Sequence, residues 1–260
     1  MQYVSLESVN PDQTSLQAHR CDEKAEALVV WIHGGGWVSG DRRRTRAMPT
    51  FFREHNALFI SANYPLATNT ETTLIDLQIS ALQGLNMWLT ENPLKKEHPE
   101  AFANITLLAH SAGSHLVALT DKIHGWNPAV SSMALLDSGA YDLVTRYRYA
   151  RPQQRQQFAR LIGLDSHPPA ERDAILRAYS PALLPPKSRN GRPLNVLIIS
   201  SRRPGAYYSA KQLEQSYSAP GYKTSLAEFD WSHEEFPEAI GVDKRMNQLL
   251  LCAIAPPSAE

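Results

Sequence analysis

Cysteine is scarce in this chain: Cys21 and Cys252 are the only two in 260 residues. They lie far apart and match no metal-ligand or redox spacing, so cysteine chemistry is not where function is sought. An excess of charge is missing as well, since Lys plus Arg and Asp plus Glu each total 26. No global field is left to draw nucleic acid or an anionic membrane surface, and the expected partner is a small molecule. No apolar run approaches the roughly 20 residues needed to cross a bilayer, and the amino terminus lacks a basic segment followed by an apolar one. A soluble, cytoplasmic protein is the expectation. No His/Cys/Asp/Glu cluster has ligand spacing, so no metal or cofactor is implied. Internal repeats and low-complexity segments are lacking too.

What is present is an alternation of apolar strands and amphipathic helices. Ala27–Ile32 is an unbroken apolar run, as expected of a strand buried on both faces. Further strands are expected at 58–62, in the stretch from Asn104 up to Ser111, and at 131–136, 194–200 and 224–229, with an edge strand possible at 3–6. Helices are expected at 73–91, 112–123, 211–217 and 237–254. This βα order predicts an α/β fold with a mostly parallel central sheet and helices on both faces. One domain over residues 1–260 is expected, because 260 residues suffice for a single large core. The rhythm breaks at 143–193, where arginines, glutamines and clustered prolines predict a helical cap insertion over the carboxyl end of the sheet. Its arginines, Arg146 among them, read as a solvated helical face.

The stretch Asn104–Leu119 runs from an apolar strand straight through Ser111 into a helical pattern. A serine in such a turn sits in a tight backbone conformation and needs small neighbours two places away on each side. Ala109 and Gly113 provide them. The helix amino terminus at Ala112 sets unsatisfied N–H groups and a partial positive charge beside the serine oxygen. Ser111 is therefore the candidate nucleophile, and a plain N-cap serine is the alternative. The strand ending at Ile32 leads into His33-Gly34-Gly35-Gly36-Trp37. Three glycines directly after a buried strand suit a loop whose backbone must approach a ligand closely.

His33 to Trp37, Ala109 to Gly113 and His233, which follows the last strand, together resemble the α/β-hydrolase fold. The branch is that of esterases with a His-Gly-Gly-Gly oxyanion loop, including hormone-sensitive-lipase-like esterases and kynurenine formamidases. Gly40-Asp41 and Asn63-Tyr64-Pro65-Leu66 extend the resemblance. It implies that Ser111 attacks a carbonyl carbon and that His233 takes and returns its proton. It also implies that the N–H groups of Gly35, Gly36 and Ala112 hold the oxyanion, with His33 shaping the loop.

The acid departs from the family pattern. Members usually place an aspartate after the strand equivalent to 194–200, but residues 200–205 read Ser-Ser-Arg-Arg-Pro-Gly, with no carboxylate before Glu214. Asp137 is the expected replacement, since it follows the strand beside the nucleophile strand and keeps the Ser, Asp, His chain order. Asp142 is the second choice; Asp230 is too close along the chain to His233. Arg202 and Arg203 occupy the usual acid's neighbourhood and suit either a substrate carboxylate or local ion pairs. The expected function is a serine hydrolase acting on a small-molecule ester, thioester or aryl formamide. An acyltransferase with the same residues and a non-catalytic small-molecule binder on the same fold are the alternatives.

Overall fold

In β3 (Ala27–Ile32) every residue is buried, and successive side chains go to different places. Leu28, Val30 and Ile32 join one apolar cluster, whereas Ala27, Val29 and Trp31 join a second. A strand that feeds two cores alternately must carry packed layers on both faces. The computed structural model describes residues 3–10, 14–19, 25–67, 74–189 and 191–254. Within them the remaining strands are β1 (Tyr3–Asn10), β2 (Thr14–His19), β4 (Ala57–Ala62), β5 (Ile105–His110), β6 (Val130–Leu136), β7 (Leu194–Ser201) and β8 (Tyr222–Phe229). All eight form one sheet in the order β1-β2-β4-β3-β5-β6-β7-β8. The β1–β2 and β2–β4 pairs are antiparallel; every other pair is parallel.

The helices are α1 (Met48–Glu54), α2 (Leu74–Trp88), α3 (Pro93–Glu97), α4 (Ala112–Ile123), α5 (Leu143–Tyr149), α6 (Pro152–Leu161), α7 (Arg172–Ala178), α8 (Pro204–Ser216), α9 (Glu235–Ala239) and α10 (Lys244–Ile254). One face of the sheet packs against α2, α4 and α8 through residues such as Leu82, Leu116 and Leu213. The other packs against α1, α9 and α10 through Phe52, Phe236 and Leu250. Between β6 and β7 the chain forms α5, α6 and α7 and no strand. None of the described helices is long and apolar enough to cross a membrane.

Some boundaries differ from expectation. The closing segment forms two helices, α9 and α10, separated at Gly241, whose φ of 83° no continuous helix contains. The helix expected at 211–217 begins earlier, with Pro204 in its first turn, a position that Pro favours because its missing N–H would have no partner there. Thr73, the expected start of α2, and Cys21 lie outside the described residues, while Cys252 is free and exposed. The possible strand at 3–6 is part of β1, at one edge of the sheet. Neither β2 nor α1 was expected, both being short and without a strong apolar period.

Gly113 explains how α4 reaches the sheet. A Cβ there would lie 2.4 Å from the Ile32 carbonyl oxygen and 2.5 Å from that of His33. Both obstacles are backbone and cannot rotate aside, so only glycine lets the first turn of α4 rest on the end of β3. The variant Gly113→Ala is expected to lose stability at the upper end of the roughly 1–3 kcal/mol typical of overpacking. Urea unfolding checks this, and an unchanged midpoint would show that α4 does not press on the end of β3.

Candidate active site

Ser111 stands at the N-cap position of α4, yet its side chain makes no capping hydrogen bond. The capping alternative therefore fails. Its φ of 55° and ψ of −117° form a strained combination for a residue with a Cβ, costing on the order of 1–3 kcal/mol. The surroundings hold it in place. The Ser111 N–H donates to the Leu136 carbonyl at 2.8 Å, and the Ser114 hydroxyl lies 2.8 Å from the Ala109 carbonyl and 3.1 Å from that of Leu136. Ser111 Oγ is thereby free of the helix and lies 2.8 Å from His233 Nε2.

His233 follows β8 and reaches back over the ends of β5 and β6. Its Nδ1 lies 2.7 Å from Asp137 Oδ2. An ionised carboxylate only accepts, so Nδ1 carries the proton and the Nε2 lone pair faces the Ser111 hydroxyl. His110 supports the ring from behind: its Nε2–H donates to the His233 carbonyl at 3.0 Å, and the two ring centroids are 4.5 Å apart. Burial pushes the His110 imidazole down to about 3, so it stays uncharged against its neighbour.

Asp137 comes directly after β6, with its side chain fully buried and its backbone at a φ of 39°. Burial alone would raise its carboxyl. Hydrogen bonds from His233, from the Ser201 N–H at 2.8 Å and from the Ser201 side chain, with the Arg203 charge, outweigh that and hold it below the usual carboxylate range. Arg203 Nη2 donates to Asp137 Oδ2 at 2.5 Å. The same nitrogen is 3.3 Å from His233 Nδ1, where two donors meet, so that approach is a contact and not a hydrogen bond. The end of β7, where the related enzymes were expected to carry the acid, thus supplies donors to an acid on the neighbouring strand.

The other carboxylates lie elsewhere. Asp142 caps α5, accepting the Thr145 N–H at 3.0 Å. Asp230 is exposed and pairs with Arg202, which also approaches Glu228. Neither Asp142 nor Asp230 hydrogen-bonds His233.

The glycine loop closes the site from the β3 side. A Cβ on Gly34 would lie 2.9 Å from His110 Nδ1 and 3.0 Å from Ser111 Cβ, so this loop can sit against the serine turn only without side chains. His33 fixes the loop by donating from Nδ1 to the Gly34 carbonyl at 2.7 Å and stacking on Tyr64. The Trp37 carbonyl accepts from Gln78 and from the Ala67 N–H, both at 2.9 Å. Its indole N–H donates to His115 Nδ1 at 3.3 Å, and His115 Nε2–H donates to the Tyr179 carbonyl at 2.9 Å. Gly36 and Ala112 are walls of the cleft that holds Ser111; Gly35 is not, and its carbonyl accepts the Val38 and Ser39 N–H groups. The cleft has a volume of about 220 Å³, and the α5–α6 segment contributes Arg146, Gln154, Gln157 and Phe158 to it. Gln157 donates to the Gly36 carbonyl at 3.1 Å.

The arrangement can pass a proton from a hydroxyl to an imidazole steadied by a buried carboxylate, beside a loop rich in backbone N–H groups. His110, Gln157 and the inward role of Arg203 were not foreseen from the sequence. The position of His110 beside Ser111 hinted at the first, and the reading of Arg203 as a partner in local ion pairs hinted at the last without naming Asp137. Among the described residues no three His, Cys, Asp or Glu side chains gather as metal ligands would.

The sequence pattern of the family described as BD-FAE matches residues 16–181. Among solved structures, esterase B from Lactobacillus rhamnosis, in complex with an inhibitor, is 18% identical. Their superposition has a TM-score of 0.70 and covers 97% of this chain and 86% of that one. An esterase from the bacterial hormone-sensitive lipase family is 19% identical, covering 98% and 85%, with a TM-score of 0.66. The esterase Est2 from Thermogutta terrifontis, with propionate bound, is 16% identical, covering 99% and 96%, with a TM-score of 0.64. The fold is that of the α/β-hydrolases. Among curated protein sequences none matches this chain.

The buried histidines make stability depend on pH. Burial lowers His110 to about 3 and His115 to about 4, against about 6.5 in the unfolded chain. Below about 6.5 the unfolded chain binds protons that the folded one refuses, so stability is greatest above that pH and falls as the solution is acidified toward about 4. Two such groups add a slope approaching ~2.7 kcal/mol per pH unit near pH 5. Urea unfolding at pH 7, 6 and 5 should show this decline; equal stability at all three would mean that these imidazoles are not held neutral.

Proposed function

The chain belongs to the BD-FAE family, and from that premise we propose that it is a serine hydrolase cleaving a small-molecule carboxylic ester, thioester or aryl formamide. The observation that carries the reading is the unbroken series of contacts from Ser111 Oγ through His233 to Asp137, at 2.8 and 2.7 Å. The esterases among its structural neighbours support it.

Ser111 Oγ attacks the carbonyl carbon while its proton passes to His233 Nε2. The imidazolium that forms keeps its Nδ1–H on Asp137, whose negative charge stabilises it. The carbonyl oxygen becomes an oxyanion facing the N–H groups of Gly35, Gly36 and Ala112. In a serine protease, removing one such donor costs ~3–4 kcal/mol. As the tetrahedral intermediate collapses, the bond to the leaving group breaks and His233 Nε2–H protonates it. Water then attacks the acyl-enzyme, gives a proton to His233 and releases the acid with Ser111 restored.

Ser111→Ala should abolish hydrolysis of aryl esters with little loss of stability, because Ser111 faces a cleft and Ala removes no packed volume. His233→Ala should remove turnover and labelling by a fluorophosphonate probe together, since the serine proton then has no acceptor. Wild-type protein that neither reacts with the probe at Ser111 nor turns over any ester would instead indicate a non-catalytic binder.

Asp137→Asn leaves an amide that favours the wrong imidazole tautomer, and in serine proteases the equivalent change costs about 10⁴ in rate. A loss of that order is expected here, with a much smaller one for Asp142→Asn. Steady-state kinetics on both variants decides, and an Asp137→Asn enzyme close to wild type would remove Asp137 from the mechanism.

A further inference from the structure

The cleft around Ser111 is bordered by two guanidinium groups, those of Arg146 and Arg203, and by no carboxylate side chain on its wall. Arg203 has a partner, since it donates to Asp137 behind the wall. The guanidinium of Arg146, on α5, has neither a hydrogen bond nor an ion pair among the described residues, its backbone N–H alone donating to the Asp142 carbonyl. Its Nη1 lies close to Gly139 and Gly205, 3.5 and 3.9 Å from where a Cβ on each would stand. Arg146 is an exposed residue whose guanidinium thus lies beside two glycines at the edge of the cleft.

Arg146 is shared between this cleft and an adjoining one lined by Asp142, Tyr149, Gly205, Tyr208 and Gln212. Asp142 is buried there and accepts from the first turn of α5, and it forms no ion pair with Arg146. Two arginines against the one carboxylate of Asp137 leave one positive charge unanswered beside the reacting atoms. Partial desolvation and the nearby Arg203 charge both lower the Arg146 pKa.

We propose that the substrate is an ester bearing a carboxylate, which Arg146 binds through its two parallel N–H groups while the scissile carbonyl lies against Ser111. The proposal rests on the serine-hydrolase reading and names its substrate class. A singly charged carboxylate matches the single uncompensated charge, and the planar fork of arginine matches its two oxygens. A charged group held at the cleft edge also positions the ester for attack, so its contribution appears in kcat/KM.

Two pairs of esters test the proposal, each a carboxylate with its neutral methyl-capped counterpart. Four-acetoxybenzoate carries the charge on the leaving group, and the 4-nitrophenyl monoester of adipate carries it on the acyl group. In at least one pair the wild type should favour the charged member at least 10-fold in kcat/KM, and Arg146→Gln should reduce that ratio about 10-fold, with Arg146→Lys between. Raising the salt concentration should lower the same ratio. No preference in either pair, or a preference that Arg146→Gln leaves intact, overturns the proposal.

Calorimetry on Ser111→Ala separates this from failure of the hydrolase reading. The charged ester should bind at least 10-fold more tightly than its neutral counterpart and lose that advantage with Arg146→Gln added. If no ester is turned over and Ser111 is not labelled, but this binding preference is present, the hydrolase reading falls and the carboxylate site stands. Equal binding of both members overturns the carboxylate site itself.

Discussion

Hydrogen bonding between parallel strands continues one step past the strand ends, and the site depends on that continuation. The Ser111 N–H reaches the Leu136 carbonyl, the Asp137 N–H reaches the Ile199 carbonyl, and the Arg202 N–H reaches the Phe229 carbonyl. Each bond fixes the first residue after one strand to one of the last three residues of its neighbour. Ser111 and Asp137 are therefore placed by backbone geometry before any side chain meets another, and Arg202, held the same way, precedes Arg203. Ser111 and Asp137 both take positive φ values there, which a free loop would abandon. The strain persists because the sheet on one side and α4 on the other leave no room for relief.

On this frame the electrostatics follow from where carboxylate and cation fall. Moving the acid from the end of β7 to the end of β6 vacates a position that Ser201 and Arg203 fill. Both then point donors at the buried carboxylate, and burial that would favour its protonated form is overcome. The same exchange puts a positive charge beside His233. His110, uncharged and hydrogen-bonded to the His233 backbone, adds no second one. The His233 imidazole is thus flanked by one anion, by the Arg203 guanidinium at 3.3 Å and by one neutral ring.

The sequence could be read where function constrains a short local pattern. Ser111 lies between small residues in a strand-to-helix turn, the glycine loop directly follows a buried strand, and β3 and β5 are continuous apolar runs; all these signals are contiguous in the chain. Asp137 could be reached only by reasoning about strand order, because its partner lies 96 positions away. Arg203 was visible as a residue but not as a partner of Asp137, since that depends on which strand lies beside which. His110 carried no signal beyond its place in the motif. Arg146 read as part of a solvated arginine row, and its position over Gly139 and Gly205 comes from the tertiary path of α5. The break at Gly241 was missed because an apolar period continues through it, whereas the backbone there does not.

The division of labour between sheet and insertion has a physical basis. Groups that must meet within hydrogen-bonding distance stand on strand ends, where neighbouring backbones hold them to a fraction of an ångström. Residues from α5 and α6 reach the cleft instead through long side chains, Arg146 and Gln157, which can be exchanged without disturbing a strand. Gln157 nonetheless ties this segment to the Gly36 carbonyl. A ligand group that pulls on α5 or α6 is therefore one hydrogen bond away from the peptide next to the proposed oxyanion donors. Under the proposed function, binding at α5–α6 and the alignment of the glycine loop are mechanically linked through this bond, so a substitution in α6 would alter rate as well as binding while leaving Ser111, His233 and Asp137 untouched.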